Sequence, residues 1–146
     1  MQGIIFDIET NGLLPECTKI HCIAMKDTVG GEVRSFGGHT DEQVRGCLSH
    51  LEDAPLLIGH NIKRFDIRAI QKVYPAFKPK GIQRDTLCLS QLIWPEIKVN
   101  DFQHIRTNPY FPKKMIGRHS LEAWGYRLGL NKGDFGKTSD WEYWSE

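Results

Sequence analysis

Ile4-Ile5-Phe6-Asp7-Ile8-Glu9-Thr10-Asn11-Gly12-Leu13 is the stretch whose reading decides the fold. Ile and Phe fill its first half and an Asn-Gly pair closes it, which predicts a strand running into a turn. Side chains alternate along a strand, so Ile4, Phe6 and Ile8 share one face and Ile5, Asp7 and Glu9 the other. Two carboxylates about 6–7 Å apart along the strand then stand side by side at its C-terminal end. Such a pair either marks the polar rim of a surfacing strand or begins a metal site. The positions of the other acids decide between the two.

Outward from this strand, Ile20 to Lys26 and Glu32 to Phe36 are short apolar runs joined by Asp27-Thr28-Val29-Gly30-Gly31, a hairpin pattern. Thr40-Asp41-Glu42-Gln43 reads as a capping box, with Val44, Cys47, Leu48 and Leu51 following at helical spacing. Leu56-Leu57-Ile58-Gly59 is continuous and apolar, as in a strand buried on both faces. A hairpin-like start followed by helix, strand and helix indicates the α/β class: a mixed sheet, three strands antiparallel and others parallel, flanked by helices.

The third acid comes directly after that buried strand. Asn61 is the expected N-cap of a helix whose apolar stripe is Ile62, Phe65, Ala69, Ile70 and Val73. Asp66 falls on the inward side of that stripe, where a bare carboxylate is costly unless a cation or hydrogen bonds compensate it. It either pairs at the rim with Arg64 or Lys63 or faces the sheet as a metal ligand. Asp85 leads a second helical run, Leu87 to Ile93, as its N-cap or as an outer partner of a metal site.

Pro75 to Gly81 and Pro95 to Gly117 read as loops. The second mixes His104, Arg106, Tyr110, Phe111, Lys113 and Lys114, which suits either an ordinary solvated loop or a single-stranded nucleic acid surface of cations and rings. Ser120 to Gly129 is an amphipathic helix, capped by Ser120 and stopped by Gly129, with Leu121, Trp124 and Leu128 on its expected buried side. Asn131 to Glu146 is polar and aromatic and looks like the start of another element.

The 146 residues suffice for one domain with a hydrophobic core, expected to span 1–146. A formal charge of +1 supplies no global basic field, so any nucleic acid must be held by a local patch. No apolar run approaches the roughly 18 residues of a membrane helix. The start of the chain does not read as a signal peptide, and the expectation is a cytoplasmic protein without a membrane partner. Cys17, Cys22, Cys47 and Cys88 have no Cys-x-x-Cys spacing, which fits reduced thiols rather than zinc or a disulfide framework.

Taken together, Asp7-Ile8-Glu9-Thr10-Asn11-Gly12-Leu13, Asn61-Ile62-Lys63-Arg64-Phe65-Asp66, Asp85-Thr86-Leu87, and His119-Ser120-Leu121-Glu122-Ala123-Trp124-Gly125-Tyr126-Arg127-Leu128-Gly129 with Lys132-Gly133 carry a resemblance over essentially the whole chain. It resembles the DEDD-type 3′–5′ exonucleases, of ribonuclease H-like fold. Among them it is most similar to the proofreading domain at the N-terminus of phage family A replicative DNA polymerases.

The resemblance implies that Asp7 bridges two divalent cations, that Glu9 holds the first, and that Asp66 reaches the second through water. Magnesium or manganese suits such oxygen ligands. The implied chemistry is hydrolysis of the terminal phosphodiester, with one cation activating water and the other, about 3.5–4 Å away, stabilising the leaving oxygen. Leu13 matches the family's wedge against the terminal bases. Thr10, Asn61 and Phe65 are expected to hold an unpaired 3′ end, and Lys113, Lys114 and Arg118 to contact the strand. A downstream polymerase domain is the implied partner, in a phage-infected or prophage-carrying bacterial cell.

The family's third motif, Tyr-x-x-x-Asp or His-x-x-x-x-Asp, is not found. Tyr110 is followed four residues later by Lys114 and Tyr126 by Leu130, while His104 and His119 are followed five residues later by Pro109 and Trp124. Asp134 and Asp140 have no matching Tyr or His before them. The expectation is therefore a domain truncated at its C-terminus, without its last helix, weakly active or inactive alone. Self-association through an uncovered sheet is expected with it. The alternative function is a catalytically dead module that binds single-stranded nucleic acid or a polymerase partner.

Overall fold

In a computed structural model of the chain, residues 2–37, 41–107 and 110–130 are described. Thr40 of the capping box lies outside these residues, as does the segment 131–146 with Lys132, Asp134 and Asp140.

Five strands, β1 (Ile4–Thr10), β2 (Ile20–Asp27), β3 (Val33–Gly37), β4 (Leu56–Gly59) and β5 (Ile82–Asp85), form one sheet in the order β3-β2-β1-β4-β5. β1, β2 and β3 are antiparallel neighbours, whereas β4 and β5 run parallel to β1. This is the expected mixed α/β sheet. Parallel pairs need crossovers. α1 (Asp41–Asp53) supplies the one into β4, and α2 (Asp66–Val73) the one into β5.

The alternation in β1 holds. Phe6 and Ile8 are buried on one face with Ile23 and Met25 of β2, and α1 and α2 cover that face. Val44, Cys47, Leu48 and Leu51 of α1 and Ile62, Ala69 and Ile70 from the α2 region complete the core. Ile5 and Asp7, on the opposite face, are exposed, and Glu9 is half-buried. All four cysteines are free, and only Cys88 is exposed.

Some elements differ from expectation. β5 forms although Ile82-Gln83-Arg84-Asp85 has a single apolar side chain, because β4 supplies the parallel ladder it pairs with. The stretch expected as a long loop contains α4 (Ile97–Thr107) and a 3-10 turn at Lys113–Met115. In α5 (Leu121–Leu128), Ser120 caps and the left-handed Gly129 terminates as expected, but the buried residue is Ala123, while Leu121 and Leu128 are exposed.

The described residues fall into two compact units, dividing between Thr86 and Leu87 within α3 (Thr86–Ile93). The first holds the sheet, α1 and α2. The second has its own small core of Phe111, Met115 and Ala123, against which Ile105, Ile116 and Tyr126 pack. Among the described residues, no helix is long and apolar enough to cross a membrane.

Candidate active site

β1 runs further than β4, whose pairing with it stops at Ile5↔Ile58. Past that point the Ile8 N–H has no strand to bond, and it donates to Asp66 Oδ1 at 3.3 Å. A helix residue thereby takes over from a strand, satisfying a backbone donor that burial would otherwise leave costly. The same bond ties Asp66 to the centre of the Asp7-Ile8-Glu9 run.

Asp66 is the first residue of α2 and is only 3 % exposed. Burial, followed by the negative charge of Asp7, pushes its carboxyl up to about 7, against the opposing effect of its backbone hydrogen bonds. Asp85 adds a further upward push. Cys22, which faces Glu9 across the β1–β2 ladder, reports the same field. Its thiol is raised by burial, then by Glu9 and Asp7. Next to this pair the register shifts between Glu9 and Thr10, a local irregularity of the kind that re-aims side chains beside sites.

Asn61 is not the helix cap. It adopts φ 67°, in the left-handed region that Asn tolerates better than most residues, and opens a turn that reaches α2 only at Asp66. Its carbonyl accepts from Arg64 N–H and Phe65 N–H. The turn is gripped from β5, where the buried Asp85 accepts from Asn61 N–H at 2.9 Å and from Lys63 N–H at 3.1 Å. Asp85 thus acts on the β4–α2 turn, an outer role beside the acids, through partners more than twenty residues away that local sequence does not reveal. Gly59, just before this turn, has no room for a Cβ, which would overlap Ile62 and lie 2.7 Å from the Phe6 carbonyl oxygen.

The remaining expected residues are placed as follows. Thr10 is half-buried, its hydroxyl donating to Gly12 O at 2.8 Å, and Leu13 is 73 % exposed in the β1–β2 loop. Phe65 packs partly buried against the core beside Asp66. Lys113, Lys114 and Arg118 are exposed residues of the second unit. Lys114 approaches Glu122 at 3.9 Å, and Arg118 O accepts from Arg127 Nη2. The fold therefore brings Asp66 to the β1 backbone at Ile8 and into the field of Asp7, with Glu9 two residues further along the same strand and Asn61 and Phe65 in the turn that leads to Asp66.

This donor set is carboxylate oxygen, the kind a hard divalent cation takes, and a cation would relieve the burial and repulsion that lift Asp66. The residues fit such an ion, but not as a ready-made cage. Among the described residues, no group of three or more His, Cys, Asp or Glu side chains is close enough to hold a metal ion. Magnesium sites of this kind commonly use one or two carboxylates completed by substrate phosphate.

The chain is 34% identical over 143 residues to the DNA-directed DNA polymerase of Enterobacteria phage T3 and 35% identical over 143 residues to that of Escherichia phage T7. In each case the match covers 90% of this chain and 20% of the relative, so the chain spans about a fifth of their length. The structure of E. coli exonuclease I in complex with a 5cy-dT13 oligonucleotide shares the fold, with TM-score 0.61 and 16% identity over 89% of this chain and 36% of that one. The expected resemblance to phage DNA polymerases is borne out. A profile of the RNase H superfamily matches residues 4–117, and with its mixed sheet and acid-bearing first strand the chain belongs to that superfamily.

Proposed function

We propose that this chain is a 3′–5′ exonuclease domain, 1–146, that hydrolyses the terminal phosphodiester of single-stranded or frayed DNA. It would serve as the proofreading part of a phage-type DNA polymerase in the bacterial cytoplasm. The observation that carries this reading is the placement of Asp66. A helix-borne carboxyl is buried against the strand that bears Asp7 and Glu9 and is raised to about 7 by burial and Asp7.

Asp7, Glu9 and Asp66 would hold two divalent cations, magnesium or manganese, with Asp7 shared. When bound, such cations neutralise phosphate charge and make water acidic enough to attack. Asp66 would release its proton on loading, which makes metal affinity rise with pH. Leu13 would press on the terminal base, with Thr10, Asn61 and Phe65 holding the unpaired end. Lys113, Lys114 and Arg118 would meet strand phosphates. A paired end is a poorer substrate because it must first be melted. The sheet face on which Ile5 and Val33 are exposed would also support self-association.

The test is degradation of a 3′-end-labelled single-stranded oligonucleotide in manganese by the chain and by Asp7→Ala. Weak degradation by the chain alone, stopped by chelator and abolished by Asp7→Ala, is the expected result. The alternative is a binding module without catalysis. Strand binding indifferent to chelator, with no cleavage in any metal, would decide for it.

A further inference from the structure

The loop between β1 and β2 is tied at three levels. At its base, Asn11 N–H donates to Lys19 O, its Oδ1 accepts from Thr18 N–H and Lys19 N–H, and its Nδ2 donates to Thr18 Oγ1. In its middle, Glu16 N–H and Cys17 N–H both donate to Leu13 O, at 2.9 and 2.8 Å, and Cys17 is fully buried in the core. At its outer side, Lys72 Nζ donates to Leu14 O at 2.9 Å and to Pro15 O at 2.6 Å.

The last tie is unusual for its position. Lys72 lies in the last turn of α2, where a cation ordinarily serves its own helix's terminal carbonyls. Here it instead reaches two carbonyls 57 and 58 residues away while remaining exposed to water. Ordering a long, flexible ammonium side chain costs entropy, and two charge-assisted bonds to adjacent carbonyls offset it. The residue so held next to Leu14 is Leu13, a large apolar side chain left in solvent. One short helix therefore carries Asp66 at its first residue and the loop clamp in its last turn.

We propose that Lys72 is a positioning residue that fixes Leu13 relative to Asp66, so that the terminal base meets a preorganised apolar edge. The proposal rests on the exonuclease reading above, in which Leu13 presses on the 3′ end. A loop already fixed loses little freedom when the base arrives, so the clamp acts on binding geometry rather than on bond breaking.

The test uses the full chain, manganese and a single-stranded oligonucleotide with a 3′-terminal 2-aminopurine and a phosphorothioate linkage that resists cleavage. Lys72→Met keeps the apolar stem and removes the donors, and Lys72→Arg retains charge and donors. Lys72→Met should speed amide hydrogen exchange at Glu16 and Cys17 about tenfold while leaving Ile23 in the core strand unchanged. It should also shrink the fluorescence change of the bound terminal base, Lys72→Arg should restore part of both, and on a Leu13→Ala background Lys72→Met should change the fluorescence no further.

Unchanged exchange, or a fluorescence loss that adds fully to that of Leu13→Ala, overturns the proposal. A normal wild-type signal indifferent to Lys72→Met overturns it while leaving the exonuclease reading intact. No signal from the wild-type chain overturns both.

Discussion

A carboxyl group buried beside a second carboxylate keeps its proton to an unusually high pH, and for Asp66 that limit is about 7. Between the ordinary carboxylate range and that value, the folded chain holds a proton that the unfolded chain has already lost. The stability this group contributes is therefore complete at low pH and is lost as pH rises through 7. Asn at this position cannot ionise and can still accept from the Ile8 N–H. In chelator at alkaline pH, Asp66→Asn should be more stable than the wild type by up to about 4 kcal/mol, the difference closing as pH falls toward about 4. Thermal unfolding in a buffer series checks this. Manganese should reverse the order, because a ligand that binds only the folded wild type raises its Tm and leaves the variant nearly unmoved. A variant no more stable than wild type at alkaline pH would show that water reaches Asp66 well enough for it to ionise freely.

Among the elements, α4 and α5 show how an ionic contact can replace an apolar one. Ile97, Asp101 and Ile105 recur every four residues along α4, and the middle one is an acid that is 1 % exposed. Arg127 from α5 meets it with two bonds of 2.8 Å, and Gly117 N–H adds a third. Burial pushes the Asp101 carboxyl up, but these bonds and the guanidinium charge outweigh it and hold it below the usual range. The Arg127 guanidinium also lies over Trp124 and Phe111, 5.0 and 5.7 Å from the ring centroids. Asp101→Ala would strand that cation and should cost about 3–5 kcal/mol, whereas Asp101→Leu with Arg127→Met should recover most of it. Urea unfolding followed by tryptophan fluorescence measures both. The acid in the stripe is also why α4 was illegible, since the helical period is read from apolar residues and Asp101 interrupts it. β5 was hidden for a related reason, because its pairing with β4 holds a segment whose own pattern is polar. β1 and β4 were legible because their apolar residues alternate or run unbroken up to turn residues. Asp66 stood out as an acid on an apolar helical stripe, whereas Asp7 and Glu9, on the polar face of β1, took their meaning from the acids that follow them. The grip of Asp85 on Asn61 and Lys63, and of Lys72 on Leu14 and Pro15, joins segments distant in sequence, and no local pattern marks it.

For the molecule as a whole, a formal charge of +1 means that long-range attraction does little to draw a polyanion in. On the proposed reading, strand binding would then come from a few cations in contact with phosphates, and the acids around Asp7 would oppose it until metal is bound. Lys113 and Lys114 on the 3-10 turn and Arg118 shortly after it are the exposed candidates. Lys114 forms an exposed pair with Glu122 at 3.9 Å, a contact weak enough to yield to a phosphate. Each phosphate neutralised on a single strand contributes about 0.7 to the slope of log affinity against log salt, so three contacts predict a slope near −2. Fluorescence anisotropy of a labelled oligothymidylate across a potassium chloride series gives the slope. Replacing Lys113, Lys114 and Arg118 by Gln should weaken binding and flatten the dependence by about two units, without altering the unfolding midpoint of the first unit. A slope that survives the triple replacement unchanged would place the strand on other cations, and a slope near zero in the unreplaced chain would mean that base stacking rather than charge holds it.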